Sequence, residues 1–173
     1  MLAPEVLQRF AVHYQTGESI PQTLIDKLVQ ARNFNQGFAT LEYLASAMID
    51  MQLHLAGDQH IDAARFEAET LEKLGMPSEV IMRHRTPHFS HVFSGDGYAA
   101  GYYSYLWADT LVADAWEAFT SSGNVFDPIL AEQLKQHVFT AGNKQEPDQA
   151  YRNFRGRDPD IHALLRKRGF MAV

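Results

Sequence analysis

The chain's candidate metal ligands include eight histidines, and the sequence contains no cysteine. A helical zinc site that activates water needs two histidines one turn apart, with a glutamate between them as general base. No histidine here begins an H-E-x-x-H sequence. His84 and His88 have the four-residue spacing, but Pro87 between them disfavours a continuous helix. We therefore predict no metal site in this chain, with a site built from His84, His88 and His91 as the less favoured alternative.

Three tyrosines form the second candidate site. Tyr98, Tyr102 and Tyr105 are spaced by four and three residues, so one helix would carry all three phenols within about 60° of one face. Neutral phenols near His91 could line a cleft and donate hydrogen bonds to a developing oxyanion. An aromatic stripe at helical spacing is more often part of a core, and the spacing alone favours that interpretation.

Other catalytic patterns are weak. Gly95-Asp96-Gly97 is too short for a phosphate-binding loop, and no G-x-S-x-G elbow occurs. Arg155 and Arg157 flank a glycine and could bind a carboxylate, but we expect salt bridges that anchor the tail. The net charge is −6, and the only basic run is Arg166-Lys167-Arg168, which argues against a nucleic-acid partner.

The composition is that of a folded globular protein. Of 173 residues, 46% are hydrophobic and 21% are charged, which excludes a disordered chain. The first residues lack the basic and apolar regions of a signal peptide. No apolar run reaches the roughly 18 to 20 residues that span a bilayer. We therefore expect a soluble protein with no membrane partner.

The hydrophobic spacing is helical throughout, which predicts an all-α fold. The predicted helices cover residues 4–14, 21–29, 38–55, 62–75, 78–84, 98–121, 127–140, 147–154 and 159–168. Residues 86–97 combine histidine, proline and glycine with alternating apolar residues, so we predict one irregular loop or short hairpin there. The most apolar helix comes late, and its buried surface suggests a partner outside this chain.

One long segment is distinctive. Residues 88–109 read HFSHVFSGDGYAAGYYSYLWAD, Asn33–Gly37 read NFNQG, and Phe154–Arg157 read FRGR. Together these segments resemble thimet oligopeptidase-like zinc metallopeptidases, and the resemblance extends over essentially the whole chain. The long segment is most similar to the bacterial peptidyl-dipeptidase branch of that family.

The resemblance implies a cytoplasmic protein and a largely helical, two-lobed catalytic domain with a deep channel. Members bind one Zn²⁺ through H-E-x-x-H and a downstream glutamate and cleave oligopeptides, and the peptidyl-dipeptidase branch releases dipeptides from the C-terminus. By motif position, Tyr102 and Tyr105 are the expected catalytic donors to the oxyanion and the substrate carbonyl. His91 and Tyr98 are the expected substrate-binding residues.

The family's zinc motif lies N-terminal to the region that matches. We therefore expect residues 1–173 to be the incomplete C-terminal portion of a metallopeptidase catalytic domain, inactive alone and without tightly bound zinc. Its partners would be the oligopeptide substrate and the missing N-terminal part, with self-association through exposed apolar surface. Two alternatives remain: a non-catalytic helical module that binds peptides or pairs with a partner, and an unrelated helical binding protein.

Overall fold

The computed structural model describes residues 3–171 and folds them into helices joined by turns. The helices are α1 (Pro4–Phe10), α2 (Gln22–Asn33), α3 (Gln36–Leu55), α4 (Ala63–Lys73), α5 (Ser90–Phe93), α6 (Ser104–Ser121), α7 (Pro128–Leu134), α8 (Pro147–Arg155) and α9 (Ile161–Lys167). Within residues 3–171 no strand forms, and β pairing is limited to one bridge between Val12 and Ser19. The all-α prediction is confirmed.

The chain divides into two compact units, and the boundary falls inside α6. Residues 35–108 form one unit, and the described residues up to 34 and from 109 onward form the other. No helix between residues 3 and 171 is both long enough and apolar enough to cross a membrane.

The unit of residues 35–108 is built on α3. Ala45 and Ile49 of this helix pack with Met82, and Leu53, Leu71 and Met76 surround them. Asp62 caps α4 as the sequence predicts, because its carboxylate accepts a hydrogen bond from the Arg65 amide at 3.0 Å.

A buried carboxylate on α4 holds the start of the histidine-rich segment. Glu67 accepts hydrogen bonds from both the amide and the hydroxyl of Thr86, each at 2.9 Å, and it pairs with Arg85. These bonds satisfy a charge that would otherwise be costly to bury. The segment is thereby tied to the helical core of its unit.

The other unit packs around Phe119, Tyr151 and Phe154. Beside them, the fully buried Asp114 accepts hydrogen bonds from the Tyr151 hydroxyl at 2.7 Å and from the guanidinium of Arg157 at 2.6 Å. Burial acts to raise the pKa of Asp114, but these hydrogen bonds and the charges of Arg155 and Arg157 outweigh it, so the pKa is lowered. Asp114 is therefore ionised at neutral pH.

Residues 86–97 form an irregular loop of short helical turns, which was one of the two predicted alternatives, and the other alternative, a short hairpin, does not form there. A 3₁₀ turn at Thr86–His88, the single turn α5 and a second 3₁₀ turn at Asp96–Tyr98 follow one another. The buried residues Phe89 and Val92 are three positions apart, which is helical spacing. The alternation in the sequence therefore did not correspond to a two-sided strand. The predicted helix at 78–84 is also absent, since only a single turn forms after Pro77.

The predicted helix from Tyr98 begins only at Ser104. Ala100 has a left-handed backbone with φ of 56°, which interrupts any helix at that point. A Cβ atom on Gly101 would lie 3.1 Å from the carbonyl oxygen of Tyr98, so this tight turn leaves little room for a side chain at that position. Tyr98 and Tyr102 therefore do not share a helix with Tyr105.

Candidate functional site

The structure nonetheless brings the four predicted site residues together. We call His91, Tyr98, Tyr102 and Tyr105 the tyrosine–histidine cluster. The imidazole of His91 stacks on the Tyr98 ring at 5.0 Å between centroids and lies 5.7 Å from Tyr102 and 6.0 Å from Tyr105. The Tyr105 hydroxyl lies 3.3 Å from His91 Nε2, within hydrogen-bonding distance. One histidine therefore contacts all three phenol rings.

Exposure separates this cluster from a hydrophobic core. Tyr98 is 65% exposed and Tyr105 is 52% exposed, and His91 is also exposed. Tyr102 is half-buried. Phenol and imidazole groups in this arrangement present several hydrogen-bonding atoms to a ligand. The interpretation of the aromatic spacing as a core stripe is therefore not supported for Tyr98 and Tyr105.

The environment of Tyr102 keeps its phenol protonated. Burial raises the pKa of Tyr102 above the ordinary tyrosine value, Tyr105 and Glu42 act in the same direction, and Arg83 opposes them. A phenol with a raised pKa remains a neutral hydrogen-bond donor at physiological pH. That is the state needed to stabilise negative charge that develops on a carbonyl oxygen.

Two side chains of α3 reach the backbone of this cluster and were not identified from the sequence. Asp50 accepts hydrogen bonds from main-chain amides of the turn before α6, and the Tyr43 ring stacks on Tyr102 at 5.2 Å. The available signal was an acidic residue between the apolar residues Ile49 and Met51. A carboxylate on the inward side of a helix needs partners, but the sequence does not say which.

A zinc site would need several histidine or carboxylate side chains close together. Among residues 3–171, no group of three or more histidine, aspartate or glutamate side chains is placed to hold a metal. The His84 ring stacks on Phe89 at 4.9 Å, and the His91 ring stacks on Tyr98. Both imidazoles therefore take part in aromatic packing.

The three arginines within residues 152–157 bind carboxylates of the chain itself. Arg155 and Arg157 pair with Asp114, at 3.0 and 2.6 Å. Arg152 pairs with Asp148 and Asp158. The expectation of salt bridges that anchor the tail is confirmed.

Comparison with known proteins agrees with the resemblance read from residues 88–109. The model of peptidase family M3 matches residues 1–170. The chain therefore belongs to peptidase family M3.

Named relatives span several members of the family. Oligopeptidase A of Haemophilus influenzae is 39% identical over 171 residues, which covers 96% of this chain and 24% of that protein. Probable cytosolic oligopeptidase A of Arabidopsis thaliana is 35% identical over 178 positions, covering 98% of this chain and 25% of that protein. Dipeptidyl carboxypeptidase of Escherichia coli is 34% identical over 170 residues, which covers 96% of this chain and 24% of that protein. The chain thus spans about a quarter of the length of these relatives.

Proposed function

We propose that this chain is the C-terminal portion of a peptidase that hydrolyses oligopeptides, and that the tyrosine–histidine cluster binds the substrate. The observation that carries the proposal is the exposed grouping of His91, Tyr98, Tyr102 and Tyr105 in a chain of peptidase family M3. The resemblance of residues 88–109 to the family's late signature supports the same assignment.

The chemistry of the cluster fits the needs of peptide hydrolysis. As the scissile carbonyl becomes tetrahedral, its oxygen gains negative charge and needs hydrogen-bond donors already in place. Tyr102 supplies a phenol that its surroundings keep neutral, and Tyr105 supplies a second phenol on the first turn of α6. His91 lies close enough to orient the Tyr105 hydroxyl, and the stacked rings of His91 and Tyr98 offer a flat surface to a peptide.

The rest of the catalytic apparatus belongs, in this proposal, to the part of the relatives that this chain does not span. That part would hold the zinc ion and the general base that the family resemblance implies. Several large apolar side chains are exposed on the described chain, including Phe10, Phe34 and Phe38. We expect the missing part to cover such surface, and we expect the segment alone to self-associate and to leave peptides uncut.

The relatives' names and the family resemblance support a proposed mode of cleavage and a proposed location. Oligopeptidase A and dipeptidyl carboxypeptidase both occur among them. We favour release of C-terminal dipeptides, because residues 88–109 resemble the peptidyl-dipeptidase branch. A cytoplasmic location is supported by the relative named probable cytosolic oligopeptidase A.

Mass spectrometry of a digested peptide tests this function. The full-length protein, incubated with an unblocked decapeptide, should shorten it by two residues at a time from the C-terminus. The same peptide with an amidated C-terminus is the matched control and should be cut much more slowly. Equal internal cleavage of both peptides would favour an endopeptidase, and no cleavage of either would overturn the proposal. If the segment alone bound the unblocked peptide and no full-length protein cut it, the non-catalytic module would be the better description.

A further inference from the structure

One buried carboxylate, that of Asp50, accepts hydrogen bonds from the turn that carries Tyr102. Asp50 of α3 is only 1% exposed. Its Oδ1 accepts a hydrogen bond from the Ala100 amide at 3.1 Å, and its Oδ2 accepts one from the Tyr102 amide at 2.9 Å. The carboxylate therefore bridges two amides on either side of Gly101.

This turn needs external support because its backbone is unfavourable. Ala100 adopts a left-handed conformation, which residues with a Cβ atom rarely occupy. Such a conformation persists only where surrounding contacts determine it. The two hydrogen bonds from Asp50 are contacts of that kind, since they hold the amides on both sides of the Ala100–Gly101 peptide.

His54 contacts both Asp50 and a residue of α5. His54 Nδ1 lies 2.8 Å from the main-chain carbonyl oxygen of Asp50 and 2.9 Å from its Oδ1, and the His54 ring stacks on Phe93 at 5.5 Å. Phe93 belongs to the same short helix as His91. Asp50 therefore binds the Tyr102 backbone directly and is linked through His54 and Phe93 to the helix that carries His91.

Tyr43, two turns earlier on α3, assists Asp50. Its hydroxyl donates a hydrogen bond to the Tyr102 carbonyl oxygen and accepts one from the Leu106 amide at 3.3 Å. Its ring stacks on the Tyr102 ring. Leu106 follows Tyr105 in α6, so the Tyr43 hydroxyl is hydrogen-bonded both to the turn and to the helix that bears the second phenol.

We propose that Asp50, assisted by Tyr43, is a positioning residue for peptide hydrolysis. Its carboxylate binds the Ala100 and Tyr102 amides and so holds the Tyr102 phenol against His91 and Tyr105. The inference rests on the proposed function, because it assigns to Asp50 an effect that acts through Tyr102. A carboxylate that only stabilised the fold would affect the amount of folded enzyme and would not depend on the Tyr102 hydroxyl.

Asp50→Asn in the full-length protein tests the inference. The amide keeps the volume of the side chain but places an NH₂ donor where one oxygen accepts a hydrogen bond. We expect kcat for an oligopeptide to fall about 10- to 100-fold, because a small misplacement of a catalytic group has an effect of this size. KM should change less than about threefold, as expected for an interaction made in the transition state.

A double-variant cycle separates positioning from folding. With Tyr102→Phe already present, Asp50→Asn should lower kcat by less than about threefold, since coupled residues are not additive. Full multiplication of the two effects would overturn the positioning role while leaving Tyr102 as a donor. If Tyr102→Phe alone retained the wild-type kcat, the proposed function of the cluster would fail instead.

Glu67→Gln is the matched control for loss of a buried charge. Glu67 is also a buried carboxylate of the same unit that accepts a backbone amide, but its partner is Thr86. We expect Glu67→Gln to retain kcat per folded enzyme, and a loss equal to that of Asp50→Asn would contradict the inference.

If Asp50→Asn does not accumulate as folded protein, Tyr43→Phe is the alternative variant, because it removes only a hydroxyl. The inference then requires its effect on kcat to disappear in the Tyr102→Phe background.

Discussion

Replacing Tyr102 with phenylalanine in the full-length protein should lower kcat for oligopeptide hydrolysis by about 100- to 1,000-fold. The expected loss corresponds to about 2.7–4 kcal/mol, the effect of removing one preorganised donor to an oxyanion. KM should change much less, because this hydrogen bond strengthens as charge develops on the carbonyl oxygen. Tyr105→Phe should reduce kcat in the same direction. Steady-state kinetics with an internally quenched peptide gives both parameters.

Tyr103→Phe is the control for this prediction. Tyr103 adjoins Tyr102 in the chain, is half exposed and lies outside the tyrosine–histidine cluster. The variant removes the same hydroxyl group from the same region, so its kcat should remain close to that of the wild type. If Tyr102→Phe, Tyr105→Phe and Tyr103→Phe all kept the kcat of the wild type, the phenols of the cluster would not be donors in the reaction.

Asp114→Asn should lower the free energy of unfolding of the C-terminal helices by about 3 kcal/mol. The fully buried Asp114 is bound by Tyr151, Arg155 and Arg157, and removing one member of a buried ion pair leaves the others uncompensated. Amide hydrogen exchange in α8 should accelerate roughly 100-fold, since each 1.4 kcal/mol is a factor of ten. Exchange measured by mass spectrometry in the full-length protein reports this directly.

The charge of Asp114 also gives this region an acid sensitivity. The pKa of Asp114 is lower in the folded chain than in the unfolded one, so its contribution to stability is present above the unfolded value of about 3.9. That contribution is lost as the pH falls through the lower, folded pKa. Asp148→Asn is the control, because its ion pair with Arg152 is exposed and should contribute little. If amide exchange in α8 were equally fast in Asp114→Asn and Asp148→Asn, the stabilising role of the buried Asp114 would be contradicted.

The regular helices could be predicted from the sequence because their signals are local. The apolar period of α3, the Asp62 cap of α4 and the left-handed Gly156 after α8 all lie within or next to the element that they define. The structure places these helices within two residues of the predicted bounds.

The turn before α6 could not be predicted, because its determinants are distant in sequence. Asp50 binds amides 50 and 52 residues further along the chain. Locally, Ala99, Ala100 and Gly101 are consistent with the close packing of a buried helix, and alanine rarely adopts a left-handed backbone. The spacing argument therefore placed the three tyrosines on one helix, whereas the structure brings them together through a turn. Their roles came from the family resemblance.

Photo-crosslinking tests the central claim most directly, namely that the tyrosine–histidine cluster binds the oligopeptide. The full-length protein is irradiated with a peptide that carries a benzoylphenylalanine, and the modified residues are identified by tandem mass spectrometry. The account predicts adducts within residues 91–105, suppressed by excess unlabelled peptide. Competable adducts found only outside residues 84–105 would contradict it.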